Sequence, residues 1–273
     1  MKIGIVGVTG RMGRAVAKLV IENEITDISC GVTRAEDALV GKDIGEVLGL
    51  DKEGVNISAD FDELFQNSDV VIDFSTPEIT LKCAGLAAKY NKILVSGTTG
   101  LKEDEKQKLE KFAQNAVIIW SSNMSIGVNL LFNLVEEVAG ILHDNYDVEI
   151  LEMHHNQKVD APSGTALSLG EAVAKGRGLD FGEVSRKTRD GIIGKRDKNE
   201  IGFASLRGGD VIGDHTVIFA GIGERIEISH KASNRDIYAR GAVRAAIWSQ
   251  GKANGLYSMR NVISSKTASS ISN

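Results

Sequence analysis

The strongest constraint on this chain lies at its amino terminus. Residues 2–7 form a short apolar run edged by Lys2, and Gly7-Val8-Thr9-Gly10-Arg11-Met12-Gly13 follows directly. Ala15, Val16, Leu19 and Val20 then recur on one face of a helical period that reaches about Ile21. Strand, tight glycine turn and helix in immediate succession suit one task above others. Gly7 permits the turn, Gly10 lets backbone approach a pyrophosphate, and Gly13 lets helix and strand pack closely. The free N–H groups at the helix start then favour an anion. The spacing is GxxGxxG rather than GxGxxG, so a turn that serves packing alone is the competing reading.

The alternation then repeats. Strands are expected at Ile28–Thr33, Asp69–Phe74, Ile93–Ser96 and Val117–Trp120. Helices are expected at Asp60–Phe65, from Pro77 or Glu78 to Lys89, and from Lys102 to Gln114. Strands alternating with helices predict a Rossmann-like, doubly wound parallel sheet. The pattern changes after Asn123. Ile126–Leu142 reads as one long apolar helix, with Val128, Leu131, Leu134, Val135 and Val138 on a broad face. Strands at Asp147–Met153, Glu183–Arg189, Ile201–Arg207, Thr216–Ala220 and Glu224–Lys231 crowd together with one helix, Thr165–Lys175, among them. That crowding predicts a second, α+β domain with a mixed, largely antiparallel sheet. The expected boundaries are 1–125 for a dinucleotide-binding domain, 126–235 for the second domain, and 236–273 for a segment that returns to the first. Ala239–Ser249 is a small-residue helix suited to that return, and the Ser- and Asn-rich tail from Ser264 is expected to fray.

Ligands of doubly wound sheets sit at the carboxyl ends of the strands. Phe74-Ser75-Thr76-Pro77, Gly97-Thr98-Thr99-Gly100 and Ser121-Ser122-Asn123-Met124-Ser125 each follow a strand and are expected on the nicotinamide side. There Asn123 would orient an amide or a substrate, and Met124 would press on a flat ring. Simple turn chemistry is the alternative for each. The tip of the second strand chooses between dinucleotides. An acid there holds a ribose 2'-OH, but Thr33 and Arg34 occupy the tip, with Glu36 and Asp37 just beyond. Arg34 and Arg11 suit a 2'-phosphate, which points to NADPH with NADH as the second choice. An unliganded surface arginine is the bland reading of Arg34.

The second concentration of chemistry runs from Glu152 through His154, His155 and Lys158 to Ser163-Gly164-Thr165. Two of the five histidines are adjacent here, directly after a strand. If the strand continues, they point to opposite sides. Lys158 adds a cation, and Ser163 or Thr165 stands at a helix start whose hydroxyls and N–H groups can hold a carboxylate. The residues together read as an anion-recognition loop with a proton donor, against the alternative of a capped junction. The spacing is wrong for zinc, and no metal is expected.

Composition excludes several classes. No apolar run reaches about 18 residues, so no transmembrane helix is expected. The amino terminus lacks a signal-peptide pattern, and Cys30 and Cys83 form neither a metal spacing nor a disulfide framework. A cytoplasmic setting fits. A net charge of -5 argues against a nucleic-acid partner.

These motifs, taken in order, resemble the bacterial 4-hydroxy-tetrahydrodipicolinate reductase (dihydrodipicolinate reductase) family. The resemblance runs over nearly the whole chain. It is carried by Gly7–Gly13, Asp73-Phe74-Ser75, Gly97–Gly100, Asn123 with Ser125–Asn129, Ile201-Gly202-Phe203 and Gly223-Glu224-Arg225. It is strongest from Glu152 to Ala166. It implies reduction of a cyclic imine dicarboxylate with NADPH or NADH, loss of water from the 4-hydroxy substrate, a homotetramer, and 126–235 as the substrate-binding and oligomerisation domain. In that likeness His154 matches the general acid, Lys158 a catalytic and substrate partner, and His155 a substrate contact. Gly164 and Thr165, with Ser163, match the carboxylate loop. Gly97, Thr99 and Asn123 match positions near the nicotinamide. Thr33 replaces the common acid, Thr76 stands where some members carry Arg, and Met124 replaces a frequent aromatic. Two other classes compete: a non-catalytic dinucleotide sensor, which needs no acid beside a dicarboxylate cradle, and another NADPH-dependent dehydrogenase of amino-acid metabolism. For the semialdehyde version of the latter, neither cysteine has a nucleophile's context.

Overall fold

The computed structural model describes residues 1–264 and divides into two compact units, one built from Met1–Ile126 and the described residues from Asp236 onward, the other from Gly127–Arg235. Residues 265–273, most of the segment expected to fray, lie outside the described residues, whereas Ser264 ends a helix.

The first unit contains β1 (Lys2–Val6), α1 (Arg11–Ile21), β2 (Asp27–Val32), α2 (Ile44–Leu48), β3 (Ile57–Ser58), α3 (Phe61–Asn67), β4 (Val70–Asp73), α4 (Pro77–Tyr90), β5 (Ile93–Ser96), α5 (Glu103–Phe112) and β6 (Val117–Trp120). Its seven strands are all parallel, in the order β12-β6-β5-β4-β1-β2-β3 once β12 (Gly255–Tyr257) is included. The order reverses between β1 and β4, the switch point at which such sheets bind ligands. Local chemistry sets the helix starts. Asp60 caps α3 by accepting from Asp62 and Glu63 N–H. Thr76 caps α4, whose first residue is Pro77, and Asn91 ends it in the left-handed region. Buried Ile3, Ile5, Val16, Val20 and Ile72 share a core with Ala239, Ala242 and Ala246 of the returning helix α9 (Asp236–Trp248). α9 approaches so closely that a Cβ on Gly241 would lie 1.8 Å from the Met124 carbonyl oxygen.

The second unit takes α6 (Ile126–Leu142) from Gly127 and continues through β7 (Asp147–His154), α7 (Gly164–Arg177), α8 (Phe181–Val184), β8 (Ser185–Arg186), β9 (Ile201–Arg207), β10 (Gly213–Ala220) and β11 (Arg225–Ala232). The sheet order is β11-β10-β7-β9-β8. The long β7–β10 and β10–β11 pairings are antiparallel, while β7–β9 and β8–β9 are parallel. One sheet face carries Val148, Ile150, Phe203, Val217 and Phe219, packed with Val128, Leu131 and Val135 of α6 and Leu169 and Val173 of α7. α6 with its following turn, Ile126–Asn145, is long and apolar enough by length and composition to cross a bilayer. Its inward face is spent on this core, while Leu134, expected on that face, is 40% exposed.

The expected strand at Glu183–Arg189 is corrected. Asp180 accepts from Glu183 N–H and starts α8 instead, leaving only Ser185–Arg186 extended. Arg189 is drawn into a two-pronged pair with Glu149 and a second contact with Glu200. The short elements α2, β3, β12 and α10 (Met259–Ser264) also escaped sequence reading.

Candidate active site

In the first unit the glycine turn stands at the carboxyl end of β1. Gly7 has φ of 68°, and the N–H groups of Gly7 and Val8 both donate to the Val32 carbonyl at the end of β2. A Cβ on Gly13 would lie 2.1 Å from the Gly7 carbonyl oxygen, so only glycine fits there. Gly10 supplies the N-cap of α1 with no side-chain acceptor, and the first turn holds no acid. The N–H groups of that turn thus meet no side-chain cap, and the positive helix end faces no carboxylate of its own. This arrangement fits a dinucleotide pyrophosphate. Arg11 is exposed and Met12 half-buried beside it.

The loops after β4 and β5 are bound together by one buried carboxylate. Asp73 accepts from Ser75 Oγ at 2.5 Å, Thr80 Oγ1 at 2.6 Å, Ser96 Oγ at 2.9 Å and Thr98 Oγ1 at 3.1 Å. Ser75 N–H also donates to Thr98 Oγ1, and Trp120 Nε1–H to the Thr98 carbonyl. Gly97 is pinned against Phe74, whose ring a Cβ would meet at 2.2 Å. Phe74, Ser75, Gly97 and Thr98 are therefore one preorganised surface, with Thr99 exposed at its end. Asn123 accepts from Ser125 N–H through its side-chain oxygen, and Ser122 is exposed. Met124 departs from its expected place: its side chain is 1% exposed and belongs to the core of this unit. At the tip of β2, Thr33 is buried and hydrogen-bonded, while Arg34 is exposed.

In the second unit β7 buries Val148, Ile150, Glu152 and His154 on alternate positions, so the last two share a face. Glu152 Oε2 lies 2.5 Å from His154 Nδ1. Arg207, which pairs with His154 across β7 and β9, forks onto the same carboxylate at 2.9 and 2.8 Å. Arg207 also donates to the Asp160 carbonyl, and Ser163 N–H reaches Glu152 Oε1 at 3.3 Å. One carboxylate thereby fixes the histidine and Ser163 directly and, through Arg207, Asp160 of the loop between them. Burial pushes the Glu152 carboxyl up, but hydrogen bonds from His154, Arg207 and Ser205 outweigh it and hold the group down at about 2. An ionised carboxylate only accepts, so Nδ1 carries the His154 ring proton and Nε2 is the nitrogen that exchanges one.

Ser163 caps α7. Its Oγ accepts from Ala166 N–H at 3.2 Å and meets His215 Nε2 at 3.1 Å. His215 is 4% exposed, and burial, followed by the charge of His154, pushes it down to about 4. Its Nδ1 is buried without a partner among the described residues, which favours a bare nitrogen there over an orphaned N–H. Nε2–H then donates to Ser163, whose two lone pairs are filled and whose own proton points onward. Gly164 is exposed at the helix start, and Thr165 is half-buried. Lys158 Nζ pairs with Asp160 Oδ1 at 2.8 Å, while half-buried His155 is anchored by its backbone N–H on Val211. His154, His155, Lys158, Ser163, Gly164 and Thr165 thus belong to one connected strand-end and loop. Glu152, which the sequence placed in this run without a role, and the unforeseen Arg207 and His215 are its further members. The i, i+2 spacing of Glu152 and His154 on a strand was the available signal for the first; the other two arrive from distant strands.

A parallel sheet with a glycine turn at its switch point, joined to a unit carrying a histidine–carboxylate pair at a helix-capping loop, defines a two-unit Rossmann-type oxidoreductase layout. Comparison with known proteins narrows it. The model of the dihydrodipicolinate reductase N-terminus matches residues 1–124, and that of its C-terminus matches residues 127–263. The chain is 47% identical over 266 residues to a 4-hydroxy-tetrahydrodipicolinate reductase of Roseobacter denitrificans, covering 97% of this chain and 98% of that protein. It is 48% identical over 268 residues to one of Rhizobium rhizogenes, with 98% of each covered. The solved structure of a dipicolinate-bound dihydrodipicolinate reductase from Paenisporosarcina sp. TG-14 shares the fold at a TM-score of 0.74 and 24% identity, over 96% of this chain and 98% of that one. The chain belongs to the dihydrodipicolinate reductase family.

Proposed function

We propose that this chain reduces 4-hydroxy-tetrahydrodipicolinate to 2,3,4,5-tetrahydrodipicolinate in lysine and diaminopimelate biosynthesis, using a nicotinamide dinucleotide and releasing water. The observation that carries this reading is the Glu152–His154 pair beside the α7 cap, found in a chain of this family. When bound, the reduced nicotinamide supplies a hydride to ring C4 of the unsaturated imine. The residues of the chain do the rest. His154 Nε2 delivers the proton that the resulting enamine takes up, with Glu152 holding the ring orientation. Lys158 and His155 steady the substrate's nitrogen and carboxylate charge. Ser163 Oγ–H and the N–H groups at Gly164 and Thr165 bind a carboxylate, an arrangement of fixed donors that needs little rearrangement as charge develops.

NADPH is the preferred dinucleotide in this reading, with NADH also used. Its support is Arg34, exposed at the β2 tip, with Arg11 in the glycine turn. A homotetramer in the cytoplasm completes the proposal. The second unit's own helices pack on one face of its sheet, and Leu206 and Ile226 remain 47% and 39% exposed. Both cysteines are free and buried, as suits a reducing compartment.

The test mixes the protein with NADPH and freshly generated 4-hydroxy-tetrahydrodipicolinate and follows the loss of nicotinamide absorbance. Turnover is expected, with kcat lowered by about 10²–10⁴ in His154→Ala. Absence of wild-type turnover rejects the activity; an unchanged kcat in the variant rejects the role of His154. Arg34→Ala is expected to weaken NADPH binding and leave NADH binding intact.

A further inference from the structure

The carboxylate missing from the tip of β2 is supplied from further along the chain. The Asp37 N–H donates to the Arg34 carbonyl at 3.0 Å, closing a turn that swings the Asp37 side chain back to the strand end. There Asp37 Oδ2 accepts from Thr9 Oγ1 at 2.8 Å and Thr33 Oγ1 at 2.9 Å, and Oδ1 accepts from Leu39 N–H at 3.0 Å. Thr9 belongs to the glycine turn and Thr33 to the strand tip, so the carboxylate spans the two segments that flank a dinucleotide's adenosine ribose. We infer that Asp37 is a cofactor-discriminating residue: its carboxylate receives the ribose 2'-hydroxyl of NADH and opposes the 2'-phosphate of NADPH. This rests on the dinucleotide reading of the first unit.

Proton counting supports the direction. The two threonine hydroxyls also lie 2.8 Å from each other, but each owns one proton. With both protons directed at Asp37, the outward side of the trio offers only lone pairs and a negative charge. The Leu39, Thr9 and Thr33 hydrogen bonds hold the carboxyl below its usual range, so it is ionised at neutral pH. A sugar hydroxyl can donate into such a trio; a phosphate, itself anionic and accepting, cannot. Arg34 begins the same turn and carries the opposite preference, so a single turn sets the balance between the two dinucleotides.

Equilibrium binding of NADH and NADPH to the full chain, read by nucleotide fluorescence without substrate, tests this. Asp37→Asn keeps the side-chain shape and removes the charge. It is expected to weaken NADH about tenfold while NADPH binds as well or more tightly, as loss of one charge-assisted hydrogen bond implies. Asp37→Ser, which keeps a hydroxyl for the loop, is the second variant should Asn disturb folding, and the same shift is expected. AMP and adenosine 2',5'-bisphosphate repeat the comparison at the ribose alone. Equal weakening of both dinucleotides makes Asp37 a loop scaffold and overturns the inference. An unchanged ratio overturns it too, without touching the dinucleotide reading. Failure of the wild-type chain to bind either dinucleotide overturns both.

Discussion

Replacing His215 with Gln should remove one stage of the second unit's acid sensitivity. His215 is buried in β10, and burial followed by the charge of His154 pushes it from 6.5 to about 4. A value lower in the folded chain than in the unfolded one means the unfolded chain binds the proton first. The stability given by the neutral ring is therefore complete above about pH 6.5 and is lost as pH falls toward 4. Integrating proton uptake from about pH 7 to about pH 5 gives a loss of about 2 kcal/mol, or roughly thirtyfold in the opening equilibrium. Glu152 adds little there. Its carboxyl is held at about 2 against 4.5, so its contribution is present above pH 4.5 and is lost only below. His230, also lowered by burial, acts in the same direction. The probe must report on the second unit, and both tryptophans, Trp120 and Trp248, belong to the first. Hydrogen exchange of β7 and β10 amides, corrected for intrinsic rates, gives the opening free energy at each pH. Wild type should lose about 2 kcal/mol between the two conditions, and His215→Gln clearly less. Equal losses in both proteins, or none in wild type, would refute the assignment of His215 as a buried neutral ring.

Two further substitutions separate the units. Glu152→Gln leaves Arg207 and His154 without their shared carboxylate, so hydrogen exchange should show the second unit destabilised by about 2–4 kcal/mol. Its kcat should fall while dinucleotide affinity, a property of the first unit, stays unchanged. Gly13→Ala places a methyl 2.1 Å from the Gly7 carbonyl oxygen, against backbone that cannot rotate away. A loss of about 1–3 kcal/mol is expected in urea unfolding followed by tryptophan fluorescence, together with loss of dinucleotide binding.

The features legible in the sequence are those the chain writes contiguously. β5, β6, α6 and β9 fall at their expected bounds because each is an uninterrupted apolar pattern closed by turn residues. α2 and β12 were not visible because neither has a period long enough to declare itself. β12 is extended because Gly255, Leu256 and Tyr257 pair with Val117, Ile118 and Ile119, a tertiary cause. The glycine turn was legible for the same reason of contiguity, and so was the run from His154 to Thr165. Met124 misled because the sequence shows that a residue follows a strand, not that α9 returns to bury it. Arg207 and His215 reach the site only through strand register, opposite His154 and Glu152 respectively.

That register also explains why two histidines 5.1 Å apart behave differently. His154 meets a carboxylate at Nδ1, fixed in turn by the Arg207 fork. His215 meets a hydroxyl at Nε2 and nothing at Nδ1 among the described residues. Two cationic rings at that separation would repel by about 3 kcal/mol at an effective dielectric of about 20. Burial and the charge of His154 keep His215 neutral, and a neutral His215 can orient Ser163 without adding charge to the loop. The division of labour follows from one carboxylate placed two residues before His154 on the buried face of β7. Moved by one residue, Glu152 would face away, and neither ring would be assigned its part.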